Sequence, residues 1–286
     1  MLIAYLLVIL FGFIFFWISF YFTDFSVSLN KACLNLSPLS EFRDLYQSMV
    51  CGSKISHIQF KHSIKALGLI HLFIISGAHM RVIFIGSNKL FKNRSIYTFF
   101  VLLLYLIVGQ FQISALRAFI YLTIKQLNSQ YKLYWNQWDI LLMSILFCLS
   151  YDLSTWASLS LILSWLACLA ILYGDTIIKK SFYCFIFIFP VCSSFYPLSP
   201  ITILINSTIG PLIATFIFPA CILSFIIPQL TDLIDILWQM LIFIGDLFRL
   251  ELNWGKLRLT QWSHNYYWSY CLFLHFFLKK LKVTQQ

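Results

Sequence analysis

Charge is scarce in this sequence. Asp, Glu, Lys and Arg make up 10% of its 286 residues, against roughly a quarter in soluble domains. So little charge cannot clothe a water-facing surface, and a large soluble globule is excluded. Acidic residues are the scarcest, with 10 Asp and Glu against 20 Lys and Arg and a net charge of +10. No Gly-x-x-x-x-Gly-Lys-Ser/Thr phosphate loop is present, so no energy source can be read from a nucleotide motif. No repeat of fixed period is visible. The first residues carry neither the cationic start nor the small-residue cleavage site of a signal peptide.

Apolar residues fill the chain instead, at 60% of the total with a mean hydropathy of +0.85. Long apolar runs recur, and a bilayer span needs about 20 such residues. The pattern predicts an all-α fold: a polytopic helical membrane protein of about seven to nine spans or half-spans. Residues 1–22 form the expected first span. Excess Lys and Arg gather in short segments, at Lys89, Lys92 and Arg94, at Lys179 and Lys180, and at Lys279, Lys280 and Lys282. Cytoplasmic loops of membrane proteins hold such charge, so most of it is assigned to topology and little to a ligand.

Residues 23–65 are the one sizeable polar stretch and read as an extracytoplasmic loop, with a short helix in EFRDLYQSMV. Cys33 and Cys51 both fall in it. On the oxidising side of a membrane they would form a disulfide worth about 3 kcal/mol; on the other side they stay as thiols. The other cysteines lie in or beside apolar runs, as small packing groups.

Gly109-Gln110-Phe111-Gln112 interrupts the run that begins at residue 96. Pro197, Pro200, Pro211, Pro219 and Pro228 punctuate the later section. So many prolines point to broken or re-entrant helices, whose freed backbone groups must face protein or water. Residues 229–286 read as an amphipathic helix, an aromatic interfacial segment and a last span. Asp232, Asp235, Gln239 and Asp246 share one helical face, at the membrane surface or a wet cavity. Trp254, Trp262, Tyr266, Tyr267 and Trp268 are expected to form an interfacial belt.

Ionisable residues inside apolar segments are costly and face a bundle interior or a wet path. Arg117, between Leu116 and Ala118, needs a partner or a polar pocket, or else snorkels from a helix end. His71 and His79 lie eight residues apart without Glu, Asp or Cys beside them, so no metal and no cofactor is expected. Ser76 and His79 share a face if the helix continues, whereas Gly77 would open it into a pocket. A Ser–His nucleophile would lack an orienting acid. On spacing alone, a polar packing cluster is the better reading.

Together these residues say more. Gly68-Leu69-Ile70-His71-Leu72-Phe73-Ile74-Ile75-Ser76-Gly77-Ala78-His79-Met80 closely resembles the signature of the ComEC family, the inner-membrane channel for DNA uptake in bacterial competence. Gly109 followed by Ser114-Ala115-Leu116-Arg117-Ala118-Phe119 is similar to the family's second block. Leu198-Ser199-Pro200, Asn206, Pro211 and Pro219 are similar to its third, and Asp152-Leu153 stands where the family has Asp-Pro.

The resemblance implies a membrane competence core over residues 66–228, passing single-stranded DNA into the cytoplasm. It places His71, Ser76, Gly77, His79, Arg117 and Asn206 on the translocation path, and Gly109, Pro200, Pro211 and Pro219 at helix breaks. Ala78, Met80 and Leu153 depart mildly from the pattern. Segment 23–65 is too short for the OB-type domain many members carry, and no His-x-His-x-Asp-His motif appears. A non-enzymatic channel is therefore expected, in membrane lipid, with a DNA receptor, a separate nuclease and a cytoplasmic helicase as partners and room for a homo-oligomer. Two other classes stay open: a membrane enzyme using Ser76 and His79, and a scaffold or carrier of another polyanion.

Overall fold

The computed structural model describes residues 2–56, 58–66, 69, 75–92, 94–193, 201–251 and 264–283. His71, Pro200, Trp254 and Trp262 lie outside the described residues, so the expectations placed on them go no further. Among the described residues the chain is helical with no strand. It divides into two compact units.

The first unit takes residues 1–21, 116–204 and 256–286. It contains α1 (Leu2–Tyr21), α7 (Ile113–Gln130) from Leu116 onward, α8 (Gln137–Tyr151), α9 (Leu159–Tyr173), α10 (Ile177–Cys192) and α14 (His264–Val283). Helices α1 and α8 run side by side in the same direction. Tyr5 donates to Asp139 at 2.9 Å near their N-terminal ends, and Ser19 bonds Tyr151 at 3.1 Å near their C-terminal ends. They touch closely at Gly12, where an added Cβ would lie 2.7 Å from that of Ser150.

Helix α14 runs the other way. Its Trp268 stacks on Trp156, with centroids 4.7 Å apart and planes 12° from parallel, and donates its indole N–H to the Trp156 carbonyl at 2.7 Å. At its other end Lys282 donates to the Leu172 carbonyl at 2.6 Å, so a cation meets free carbonyls at the end of α9.

The second unit takes residues 22–115 and 205–255. It contains α2 (Thr23–Leu36), α3 (Arg43–Tyr46), α4 (Ile58–Ala66), α5 (Gly77–Leu90), α6 (Ser95–Val108), most of α11 (Ile201–Leu212), α12 (Phe218–Ser224) and α13 (Gln229–Glu251). Segment 23–65, expected as a loop with one short helix, is mostly helical. Its polar side chains make this possible by bonding within the unit. Arg43 and Gln47 both donate to Ser37 Oγ, at 2.8 and 2.9 Å, and hold the end of α2. The EFRDLYQSMV helix is α3 followed by a π-helical turn, Gln47–Cys51.

Two expectations need correction. The acidic stripe of α13 is not one open face: Asp232 and Gln239 are exposed, but Asp235 accepts from Ser40 at 2.6 Å and Tyr46 at 2.7 Å, and Asp246 accepts from Ser63 at 2.6 Å. Burial, then the Asp235 carboxylate, pushes the Tyr46 phenol above its ordinary range. The aromatic belt is likewise divided, with Tyr266 67% exposed but Tyr267 and Trp268 buried, because flat rings pack a helix interface as well as they meet headgroups.

Among the described residues, two helices are long and apolar enough to cross a membrane, Leu2–Tyr21 and Thr202–Ser224. Three shorter apolar helices, α6, α8 and α9, have 14, 15 and 15 residues.

Cys33 and Cys51 are joined in a disulfide that ties α2 to the end of the π-helical turn. Replacing Cys51 with Ser is expected to cost about 3 kcal/mol. This would be read as a lower denaturation midpoint in detergent, alongside loss of the mobility difference between reduced and non-reduced protein on a gel. An unchanged midpoint would mean the bond stabilises nothing.

Candidate functional site

Three interruptions of helix meet inside the second unit. The π-helical turn ends at Cys51 and Gly52; the chain enters α5 through Ile75 and Ser76; and α6 ends at Val108, four residues before α7 resumes at Ile113. Each frees backbone carbonyls that need donors. Gly52 takes a φ of +81°, which favours glycine. Gln110 and Phe111 both hold a φ of 53°, a conformation uncommon outside glycine.

Side chains supply the donors. The Asn30 amide reaches the Cys51 carbonyl at 2.7 Å and the Val108 carbonyl at 2.8 Å. Gln112 Nε2 donates to the Gly52 carbonyl at 2.6 Å. Ser114 Oγ donates to the Ile75 carbonyl at 2.8 Å, and the Tyr105 hydroxyl to the Met49 carbonyl at 2.9 Å. The breaks are thus stitched to one another by amides and hydroxyls.

Ser76 is the N-cap of α5 and Gly77 its first residue, so the glycine marks a helix start and not a kink. Ser76 and His79 approach each other across the first turn of α5 in the arrangement of a capping box, of which one half closes within hydrogen-bonding geometry. That half is the Ser76 N–H donating to His79 Nδ1 at 3.3 Å. A neutral imidazole accepting at Nδ1 carries its proton on Nε2. The Ser76 hydroxyl finds no partner at hydrogen-bonding distance among the described residues. The His79 ring is fully buried and lies against Phe218, centroids 4.1 Å apart and planes at 30°. Phe218 in turn meets Tyr105 at 6.1 Å.

Phe218 is held there by an irregular helix. Pro211 and Pro219, expected as breaks, do not end it: the chain stays helical from α11 through a π-helical turn, Ile213–Ile217, into α12. Proline's ring would clash with the carbonyl four residues before it; for Pro219 that carbonyl belongs to Thr215, inside the π turn, whose wider coil gives it room. Pro219 sits at the first positions of α12, where a missing N–H matters least. Asn206 is half-buried in α11.

Polar atoms remain over at this junction. Ser53 Oγ, Ser76 Oγ and Gln112 Oε1 are buried without hydrogen-bond partners among the described residues. Such atoms are ordinarily met by water or a ligand.

Arg117 belongs to the first unit. It is the fifth residue of α7 and only 2% exposed, so it does not reach a surface. Its Nε donates to Ser164 Oγ at 2.9 Å, and its Nη1 has no partner among the described residues. Among the described residues no carboxylate pairs with it, whereas Lys279 pairs with Asp139 and Lys282 with Asp175. A guanidinium keeps its charge, and a buried unpaired charge is costly. Its geometry suits an incoming anion. Asp152 is a turn cap, accepting from the Ser154 N–H at 2.8 Å.

Sequence reasoning missed Ser164, Phe218, Asn30 and Gln112. Ser164 was legible as a hydroxyl inside an apolar run, and Asn30 as an amide beside a cysteine. Nothing set Phe218 apart from the other Phe residues, 30 in all.

A family model described as Competence protein matches residues 53–281. The match takes in the α5 cap, the break at Gly109, Arg117 and the Pro211–Pro219 segment. No curated protein and no solved structure matches.

Substitution at His79 separates cap from stack. His79→Gln keeps a side chain able to reach back but loses the ring against Phe218; His79→Ala loses both. Stability in detergent should fall in the order wild type, Gln, Ala, with steps of about 1 kcal/mol each. Equal midpoints for the two variants would remove the cap from the account.

Proposed function

Because the chain belongs to the Competence protein family, as a ComEC-type competence domain, we propose that it forms a multi-pass helical channel. In this reading it lies in the bacterial inner membrane and passes single-stranded DNA into the cytoplasm during natural transformation. The family match across residues 53–281 carries the reading. Several structural features support it.

A strand bearing one phosphate charge per nucleotide cannot cross hydrocarbon and needs a wet, polar path. Interrupted helices furnish such a path only where protein or water meets the freed backbone. Asn30, Gln112 and Ser114 do this work at the junction in the second unit. The unpartnered Ser53, Ser76 and Gln112 atoms fit a hydrated lining. Arg117 offers a buried cation to passing phosphate. One cation meets a further requirement of conduction, contacts firm enough to admit the strand and weak enough to release it.

The cap geometry favours a channel over a nucleophilic enzyme. His79 Nδ1 takes the Ser76 backbone N–H, so that nitrogen is unavailable as a base toward the Ser76 hydroxyl. A separate nuclease, a DNA receptor and a cytoplasmic helicase belong to the same proposal as partners, and so does self-association.

The test is entry of labelled DNA into the cytoplasm of a deletion strain complemented with variants. Arg117→Ala should cut entry about tenfold or more while the amount of protein in the membrane is unchanged. Wild-type entry in the Arg117 variant would remove that residue from the path and favour a scaffold. Unchanged entry in the deletion strain would overturn the transport reading altogether.

A further inference from the structure

The first unit holds a titratable group that transport, as argued above, does not use. His275, in α14, is fully buried, and neither of its ring nitrogens has a hydrogen-bond partner among the described residues. Trp138 of α8 stands edge-on to it at 5.8 Å and 85°. Trp165 of α9 lies at 5.9 Å and 60°, its own indole N–H also buried without a partner. An aromatic core position needs no imidazole, and phenylalanine would fill it without leaving polar atoms unmet.

The surroundings supply a counter-charge. One turn along α14, Lys279 Nζ lies 2.6 Å from Asp139 Oδ1, with side-chain exposures of 31% and 16%. Tyr5 of α1 donates to the same oxygen at 2.9 Å. Asp139 and Lys279 are the charges that act on His275. Asp139 is the only charged residue in α8, and α9 and α1 contain none. The other titratable groups of these elements are Cys148 and Tyr151 on α8, Cys168 and Tyr173 on α9, and Tyr21 on α1. On α14 itself His264, Tyr266, Tyr267, Tyr270, Cys271, Lys280 and Lys282 complete the set.

We propose that His275 is a proton-binding site coupled to the Lys279–Asp139 pair. A proton leaves a hydronium ion, its O–H bond breaking as an N–H bond forms on the imidazole. The charge created is balanced by Asp139. Before loading, one carboxylate serves one cation; afterwards it serves two, and its hold on Lys279 weakens. Tyr5, Asp139 and Lys279 stand on α1, α8 and α14, so proton occupancy sets how firmly these helices are tied. The inference goes beyond the transport reading and stands whether or not DNA passes.

The purified 286-residue chain in detergent provides the test, by tryptophan fluorescence as a function of pH. An imidazolium quenches an adjacent indole far more than a neutral imidazole does, and Trp138 and Trp165 both adjoin His275. The wild type should show a reversible quench on acidification that His275→Gln abolishes and His264→Gln retains. Asp139→Asn removes the balancing anion and should move the transition to lower pH. Lys279→Met removes a repelling cation and should move it to higher pH. The last two variants keep His275, so they decide the matter even if His275→Gln misfolds by circular dichroism. A quench absent from the wild type, surviving in a folded His275→Gln, or unmoved by both charge variants overturns the proposal.

Discussion

An interrupted helix leaves carbonyl oxygens without donors, and in a chain this poor in polar residues each must be met by a side chain in the right place. The second unit depends on that constraint. Asn30 alone bridges the Cys51 and Val108 carbonyls, and the disulfide at Cys51 holds the same turn against α2. Gln112 and Ser114 complete the set by clasping Gly52 and Ile75. Without these donors the break after Val108 would be a defect. With them it is a fixed polar junction, rigid enough to present the α5 cap and the His79–Phe218 stack.

The first unit solves a different problem, the placing of charge in an apolar helical bundle. Asp139 and Lys279 neutralise one another with a Tyr5 hydroxyl in support. Among the described residues Arg117 meets the hydroxyl of Ser164. A paired carboxylate and ammonium hold helices together, whereas a buried guanidinium met by a hydroxyl stays costly in an apolar bundle.

Much of this was legible from residues alone. Helical class followed from the apolar runs, whereas Ser76, Gly77, His79 and Arg117 read from spacing alone as polar packing and were singled out only by the family resemblance. What periodicity could not decide was whether Gly77 bends a helix or begins one; the Ser76 cap answers that. Nor could proline count distinguish a break from a π turn, since the difference lies in whether neighbouring carbonyls have room to tilt. Segment 23–65 is more helical than expected because its polar residues look solvent-bound in a one-dimensional reading. Tyr46, Ser40 and Ser63 in fact spend that polarity on the carboxylates of α13.

The sequence by itself determined the kind of protein: helical, apolar, basic, with a family signature in its polar islands. These are properties of composition and local order, which every conformation of the chain shares. Only the tertiary structure decided which polar groups meet. Arg117 with Ser164, Asn30 with two distant carbonyls and His275 with no partner among the described residues are all products of long-range packing. Contacts between residues tens of positions apart depend on how helices cross, and no short-range pattern encodes the crossing.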